Sequence, residues 1–152
     1  MSKDVRCLSC EIVQGGRQLI GGPILETAHY HAHQDVTYPV PGQVIVASKR
    51  HVRNLDELSV GEIKELLPIL VKIRAAQRAI LDIETVYYFY NEDTTHHFHV
   101  WMVPRHGWMK QFGRSIQAVR PALLHARAEM TSRAHITEVR RAVEMLRLEL
   151  SR

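Results

Sequence analysis

Ten histidines and two cysteines stand in this 152-residue sequence, and seven of the histidines fall at positions 29, 31, 33, 51, 96, 97 and 99. The cysteines, Cys7 and Cys10, have the Cys-x-x-Cys spacing of a metal knuckle or a redox pair, and two are too few for a disulfide scaffold. A redox pair typically precedes a helix in a βαβ context. Here the polar stretch Gln14-Gly15-Gly16-Arg17-Gln18 follows, which favours a metal and calls for two more ligands. Histidine supplies candidates, because a neutral imidazole near pH 7 is a metal ligand, a nucleophile and a proton carrier. The densest group is His97-Phe98-His99-Val100-Trp101-Met102-Val103. On a strand, His97, His99 and Trp101 share one face and Phe98, Val100 and Met102 the other, with the two imidazoles about 7 Å apart along the chain. His29, His31 and His33 alternate in the same way. Without a carboxylate among them they read as an ordinary strand face rather than a second metal site.

The elements that must position these residues follow from periodicity and turn chemistry. Ile24 to Thr27 and Ala28 to Gln34 read as short strands. Pro39, Pro41 and Gly42 mark a loop before the apolar run Gln43 to Ala47, which fits a buried central strand. Ser59 with Glu62 makes a capping box, and Ile63, Leu66, Leu67, Leu70, Ile73 and Ile80 recur at helical spacing, so a long amphipathic helix is expected over about 60–81. Pro68 inside it predicts a kink or a restart. Thr85 to Tyr90 and Phe98 to Val103 flank a polar loop and predict a hairpin. From Ser115 onward the chain is helical in composition, with a break suggested by Pro121 and by Thr131-Ser132. Ile136, Val139, Val143, Leu146 and Leu150 form a seam of about two heptads, too short for a coiled coil and suited to packing on the same domain or on a dimer partner. Trp108, Met109 and Phe112 read as core cover.

Composition bounds the rest. With 45% hydrophobic and 24% charged residues the chain can bury one core, and the length suits one compact domain. No run approaches a membrane span, and the charged start around Lys3, Asp4 and Arg6 lacks an apolar signal core, so a cytoplasmic protein is expected. Twenty Lys and Arg against sixteen Asp and Glu give a net charge of +4, a mild excess that suits phosphate-bearing ligands and falls short of a nucleic-acid footprint. Nucleic acid and membrane are therefore not expected partners.

His97-Phe98-His99-Val100-Trp101-Met102-Val103-Pro104-Arg105 resembles the signature strand of the histidine-triad superfamily, three histidines alternating with apolar residues and often followed by Pro-Arg. Upstream, Asp35 to Val46 with Gly42, followed by Lys49-Arg50-His51, has the order and spacing of the family's Asp, Gly-His, apolar strand and Lys-x-His. The resemblance covers residues 7 to 112. It implies an α+β fold, an antiparallel sheet with one long helix packed on it, here with a C-terminal helical extension over 113–152. It implies structural zinc held by Cys7, Cys10, His51 and His97, a set with no open position on the metal. It implies a homodimer and a covalent nucleotidyl intermediate on His99, reached by attack on the α-phosphate of a nucleotide conjugate. Asp35 then matches the residue that binds the ribose hydroxyls, Asn91 a ligand contact, and Val36 and His33 the base pocket.

The pattern departs from the family at four places. Trp101 replaces the third histidine, which removes a charged phosphate partner. The loop Asn91 to His96 is shorter than the family's Gly-Gln-Ser segment and carries Glu92 and Asp93, leaving Thr94 or Thr95, or His96, to assist the leaving group. Gln43 stands where the family has histidine after glycine, at the edge of the phosphate pocket with Trp101, and His33 stands where an apolar residue lines the base pocket. These departures keep a second reading open, a noncatalytic zinc-containing nucleotide-binding or sensor protein.

Overall fold

Five strands pair in the order β1-β2-β3-β5-β4, with β1 Leu25–Glu26, β2 Tyr30–Gln34, β3 Val44–Ser48, β4 Val86–Phe89 and β5 His99–Pro104. Every pair is antiparallel. The computed structural model describes residues 7–93 and 96–152. The run after the Pro-Gly loop is the middle strand, as its apolar character requires, and β4 and β5 form the expected hairpin. Gly42 makes the entry to β3 possible: its φ is +78° and a Cβ there would strike Leu81, so only glycine combines that backbone with so close an approach.

The helices are α1 Leu8–Val13, α2 Val60–Leu81, α3 Ile116–Glu129 and α4 Arg133–Leu150. Alternation along the strands gives the sheet two distinct faces. One carries Tyr30, Ala32, Val46, Phe98, Val100 and Met102 into a core with Ile69 and Ile73 of α2 and Val143 and Leu146 of α4. The C-terminal seam thus packs within this chain. On the other face α3 brings Val119, Ala122 and Leu123 to Val103 and Met109, with Trp108 and Phe112 covering them. Among the described residues, no helix is long and apolar enough to cross a membrane.

Three expectations need correction. Cys10 does lie on a helix, since α1 begins at Leu8 with Cys7 as its N-cap; the polar stretch that argued against a helix only ends it. Pro68 neither breaks nor restarts α2, and Pro121 lies inside α3. Both prolines are exposed, so the carbonyl each leaves unbonded can turn to water. The interruption between α3 and α4 falls only at residues 130–132. Finally, β5 starts at His99, which leaves His97 in the bend before it, outside the strand.

Candidate functional site

His51 and His97 face the cysteine pair at the N-cap of α1. Cys7 Sγ is 3.3 Å from His97 Nδ1, Cys10 Sγ is 3.2 Å from His51 Nδ1 and 3.4 Å from His97 Nδ1, and the two Nδ1 atoms are 3.2 Å apart. All four donor atoms lie within 4.8 Å of one another. A tetrahedron with zinc bond lengths separates its ligands by about 3.3–3.8 Å, so the set fits zinc in donor type and spacing. The outer shell fits as well. His97 Nε2 donates to the Ser48 carbonyl at 2.7 Å, which turns the Nδ1 lone pair toward the sulfurs. Burial and the adjoining Cys7 push the Cys10 thiol up to about 11, a like-charge conflict that a divalent cation between the sulfurs reverses. The site joins α1 to the loop after β3 and the bend before β5.

His99 serves a different site. Its Nδ1 donates to the His97 carbonyl at 2.7 Å, so the Nε2 of the neutral ring carries the lone pair. The ring lines a cleft of about 110 Å³ that also touches Asp35, Val36, His33, Trp101 and, from α1, Leu8 and Ile12. Strand register explains the grouping: His31, Ala47 and His99 form one cross-strand row, and His33, Ile45 and Trp101 the next. The small Ala47 leaves room beside His99. Asp35 follows β2, where its Oδ1 accepts the backbone N–H groups of Thr37 at 2.8 Å and Tyr38 at 2.7 Å. Those bonds fix the orientation of the carboxyl. Burial pushes the Asp35 carboxyl up, while the two N–H donors, His99 and Gln43 pull it back.

The remaining candidates divide. Gln43 is fully buried next to Asp35, close enough for its amide to lower the carboxyl pKa, yet among the described residues neither amide atom reaches full hydrogen-bond geometry. It sits behind the cleft instead of lining it. Asn91 lines a neighbouring cavity of about 290 Å³ with Tyr38, Phe89, Arg120 and Trp101, so Trp101 is the wall the two spaces share. The Trp101 indole N–H is buried without a partner among the described residues. Thr94 and Thr95 lie outside the described residues, and His96 is exposed. No described residue lining the cleft is Lys or Arg.

Sequence reasoning set His29, His31 and His33 on one face and assigned them nothing jointly. The structure divides them. His29 precedes β2 and pairs with Glu65 of α2 at 2.5 Å, whereas His31 and His33 are buried with their Nδ1 atoms 3.3 Å apart. The i, i+2 spacing was the only available signal for that contact.

No protein-family model and no curated protein matches the chain. Solved structures do. A Zn-bound histidine triad family protein from Mycobacterium smegmatis superposes with a TM-score of 0.70 at 20% identity, covering 98% of this chain and 96% of that one. A hypothetical histidine triad nucleotide-binding protein from Sulfolobus tokodaii gives 0.68 at 17% identity over 95% and 92%. A HIT family hydrolase from Legionella pneumophila gives 0.53 at 20% identity over 77% and 99%. The chain has the histidine-triad fold.

Proposed function

We propose that the protein is a nucleotidyl hydrolase or transferase acting at the α-phosphate of a nucleotide conjugate, a phosphoramidate or a dinucleoside polyphosphate. One observation carries this reading: the His99 Nδ1–H bond to the His97 carbonyl, which aims a neutral Nε2 lone pair from a ring that lines the same cleft as Asp35. Nε2 attacks the α-phosphorus and an N–P bond forms. The bond from phosphorus to the leaving group breaks, and that group departs with the electron pair and takes up a proton. Water or another acceptor then forms the new bond to phosphorus, gives up its proton, and releases His99 unchanged.

Asp35 orients the substrate by accepting from the ribose hydroxyls, with Val36 and His33 beside the base. Trp101 walls the phosphate side from both cavities, Gln43 backs Asp35, and Asn91 contacts the ligand on the ribose side from the neighbouring cavity. Thr94 and Thr95 are the hydroxyls available in sequence to assist the leaving group. Zinc at Cys7, Cys10, His51 and His97 is structural and supplies a rigid tie between α1 and the sheet. A second copy of the chain completes the assembly as a homodimer.

A specific observation favours the alternative, a nucleotide-binding protein without turnover: no described residue lining the cleft is cationic, which weakens stabilisation of phosphate charge in the transition state. Incubation with nucleoside phosphoramidates and dinucleoside polyphosphates, followed by acid quench and intact-mass measurement, separates the two. The enzyme reading expects turnover and a nucleotidyl adduct, both abolished in His99→Ala. Nucleotide binding with neither turnover nor adduct establishes the alternative.

A further inference from the structure

We propose that His33 selects the base, its Nε2 accepting a hydrogen bond from an exocyclic amino group, so that adenine and cytosine nucleotides are preferred to their oxo counterparts. The inference rests on reading the cleft as a nucleotide site. It starts at the edge of the sheet, where Glu26 of β1 lies opposite His31 of β2. Glu26 Oε1 is 3.5 Å from His31 Nε2. A carboxylate only accepts, and its negative charge favours the tautomer with the hydrogen on the ring nitrogen nearest to it. A neutral imidazole has one N–H, and His31 Nδ1 is therefore left with its lone pair.

His33 Nδ1 lies 3.3 Å from His31 Nδ1. Two lone pairs at this distance repel, so the His33 nitrogen carries the hydrogen and donates. The consequence passes across the second ring: His33 Nε2 is an acceptor, and it makes no hydrogen bond among the described residues. His33 is itself 2% exposed and lines the cleft with Asp35 and His99. His33 stays neutral over the working range. Burial, then His31 and His99, hold His33 down to about 3, and burial lowers His31.

The cleft around this acceptor suits a flat heterocycle. Leu8, Ile12, Val36 and Ile45 are its apolar lining, and its volume of about 110 Å³ is on the scale of one ring system. Asp35 takes the sugar, which leaves the base for His33. An amino group opposite Nε2 donates to it. A carbonyl there sets lone pair against lone pair and leaves a buried acceptor unpaired, a penalty that amounts to about tenfold or more in affinity.

The test uses the zinc-loaded protein. Long-range ¹⁵N–¹H correlation spectra report the tautomer of each histidine without any ligand, and calorimetry gives the dissociation constants of AMP, IMP, CMP and UMP. The expected result is His31 protonated on Nε2, His33 protonated on Nδ1, and AMP over IMP and CMP over UMP by about tenfold or more. His33→Phe, with zinc content and circular dichroism unchanged, brings both ratios to near one. Glu26→Lys, at an exposed position, withdraws the acceptor that orders the relay and lowers the ratios while His33 stays in place. A His33 ring protonated on Nε2, or equal binding of amino and oxo nucleotides, overturns the inference and leaves the nucleotide site standing. Binding of none of the four overturns both, since the acceptor then has no base to meet.

Discussion

Acid acts on His33 and Glu62 with the same sign in two different pH windows. His33 is neutral and buried, with its folded pKa lowered from 6.5 to about 3. The unfolded chain takes up a proton below about 6.5 that the folded chain refuses, so this contribution to stability is complete above that pH and is lost as pH falls toward 3. Glu62 is ionised and 2% exposed. Arg50 Nε and the Arg50 terminal nitrogen donate to its two oxygens at 3.0 and 2.8 Å, and Ser59 N–H adds a bond at 2.7 Å. The Arg50 guanidinium first, then the Ser59 N–H, hold it down from 4.5 to about 2. Its stabilisation is present above pH 4.5 and disappears as pH falls toward 2. Urea titrations across pH should show both slopes. His33→Phe is expected to flatten the slope between 6.5 and 4.5, and Glu62→Gln the one below 4.5; an unchanged upper slope in His33→Phe refutes a buried neutral ring. The Ser59–Glu62 capping box is visible in sequence. The Arg50 partner is not, because the pairing depends on how the loop after β3 returns to α2.

At the scale of elements, α1 is the part whose existence depends on something outside itself. Six residues are far below the length at which a helix is stable in water, and only Ser9 and Ile12 are buried within it. Its cap is Cys7, whose Sγ accepts from the Cys10 N–H at 3.5 Å. Cysteine is not among the residues that mark an N-cap in sequence, which is why the pattern reads as a knuckle followed by polar chain. The left-handed Gly15, φ +76°, was the readable stop signal. The long α2 was legible for the opposite reason, a strong cap followed by many periodic positions. Its proline does not end the helix, because at an exposed position the carbonyl it leaves unbonded reaches water. Since α1 also supplies Leu8 and Ile12 to the cleft, loss of the metal is expected to weaken ligand binding. We expect one zinc per chain, lost in Cys7→Ser. The variant should show fast amide exchange over residues 8–13, protection retained in β3 and β5, and weaker nucleotide affinity. A full equivalent of zinc in Cys7→Ser sinks the four-ligand site.

Among the described residues, an apolar stripe along α2 is left uncovered. Val60, Ile63, Leu67 and Val71 of α2 are 67%, 57%, 67% and 61% exposed, spaced three and four residues apart so that they form one stripe. Tyr88 on the edge strand β4 continues it, and Leu67, Val71 and Tyr88 share a groove of about 480 Å³ with Leu70 and Val100. The sequence gives the helical period but not this exposure, because the opposite face of α2, with Ile69 and Ile73, already meets the core. Isolated apolar residues on a surface need no explanation; a contiguous stripe beside an unpaired strand edge does. A twofold axis through α2 would bury the stripe against its own copy and set the β4 edges side by side, an isologous contact that closes on itself. Light scattering should return twice the 17.5 kDa of the chain. Leu67→Asp places like charges across the axis and should yield a monomer, with zinc content and the His99 chemistry tested separately from assembly. A wild-type mass of one chain would leave the stripe without its partner and refute the dimer.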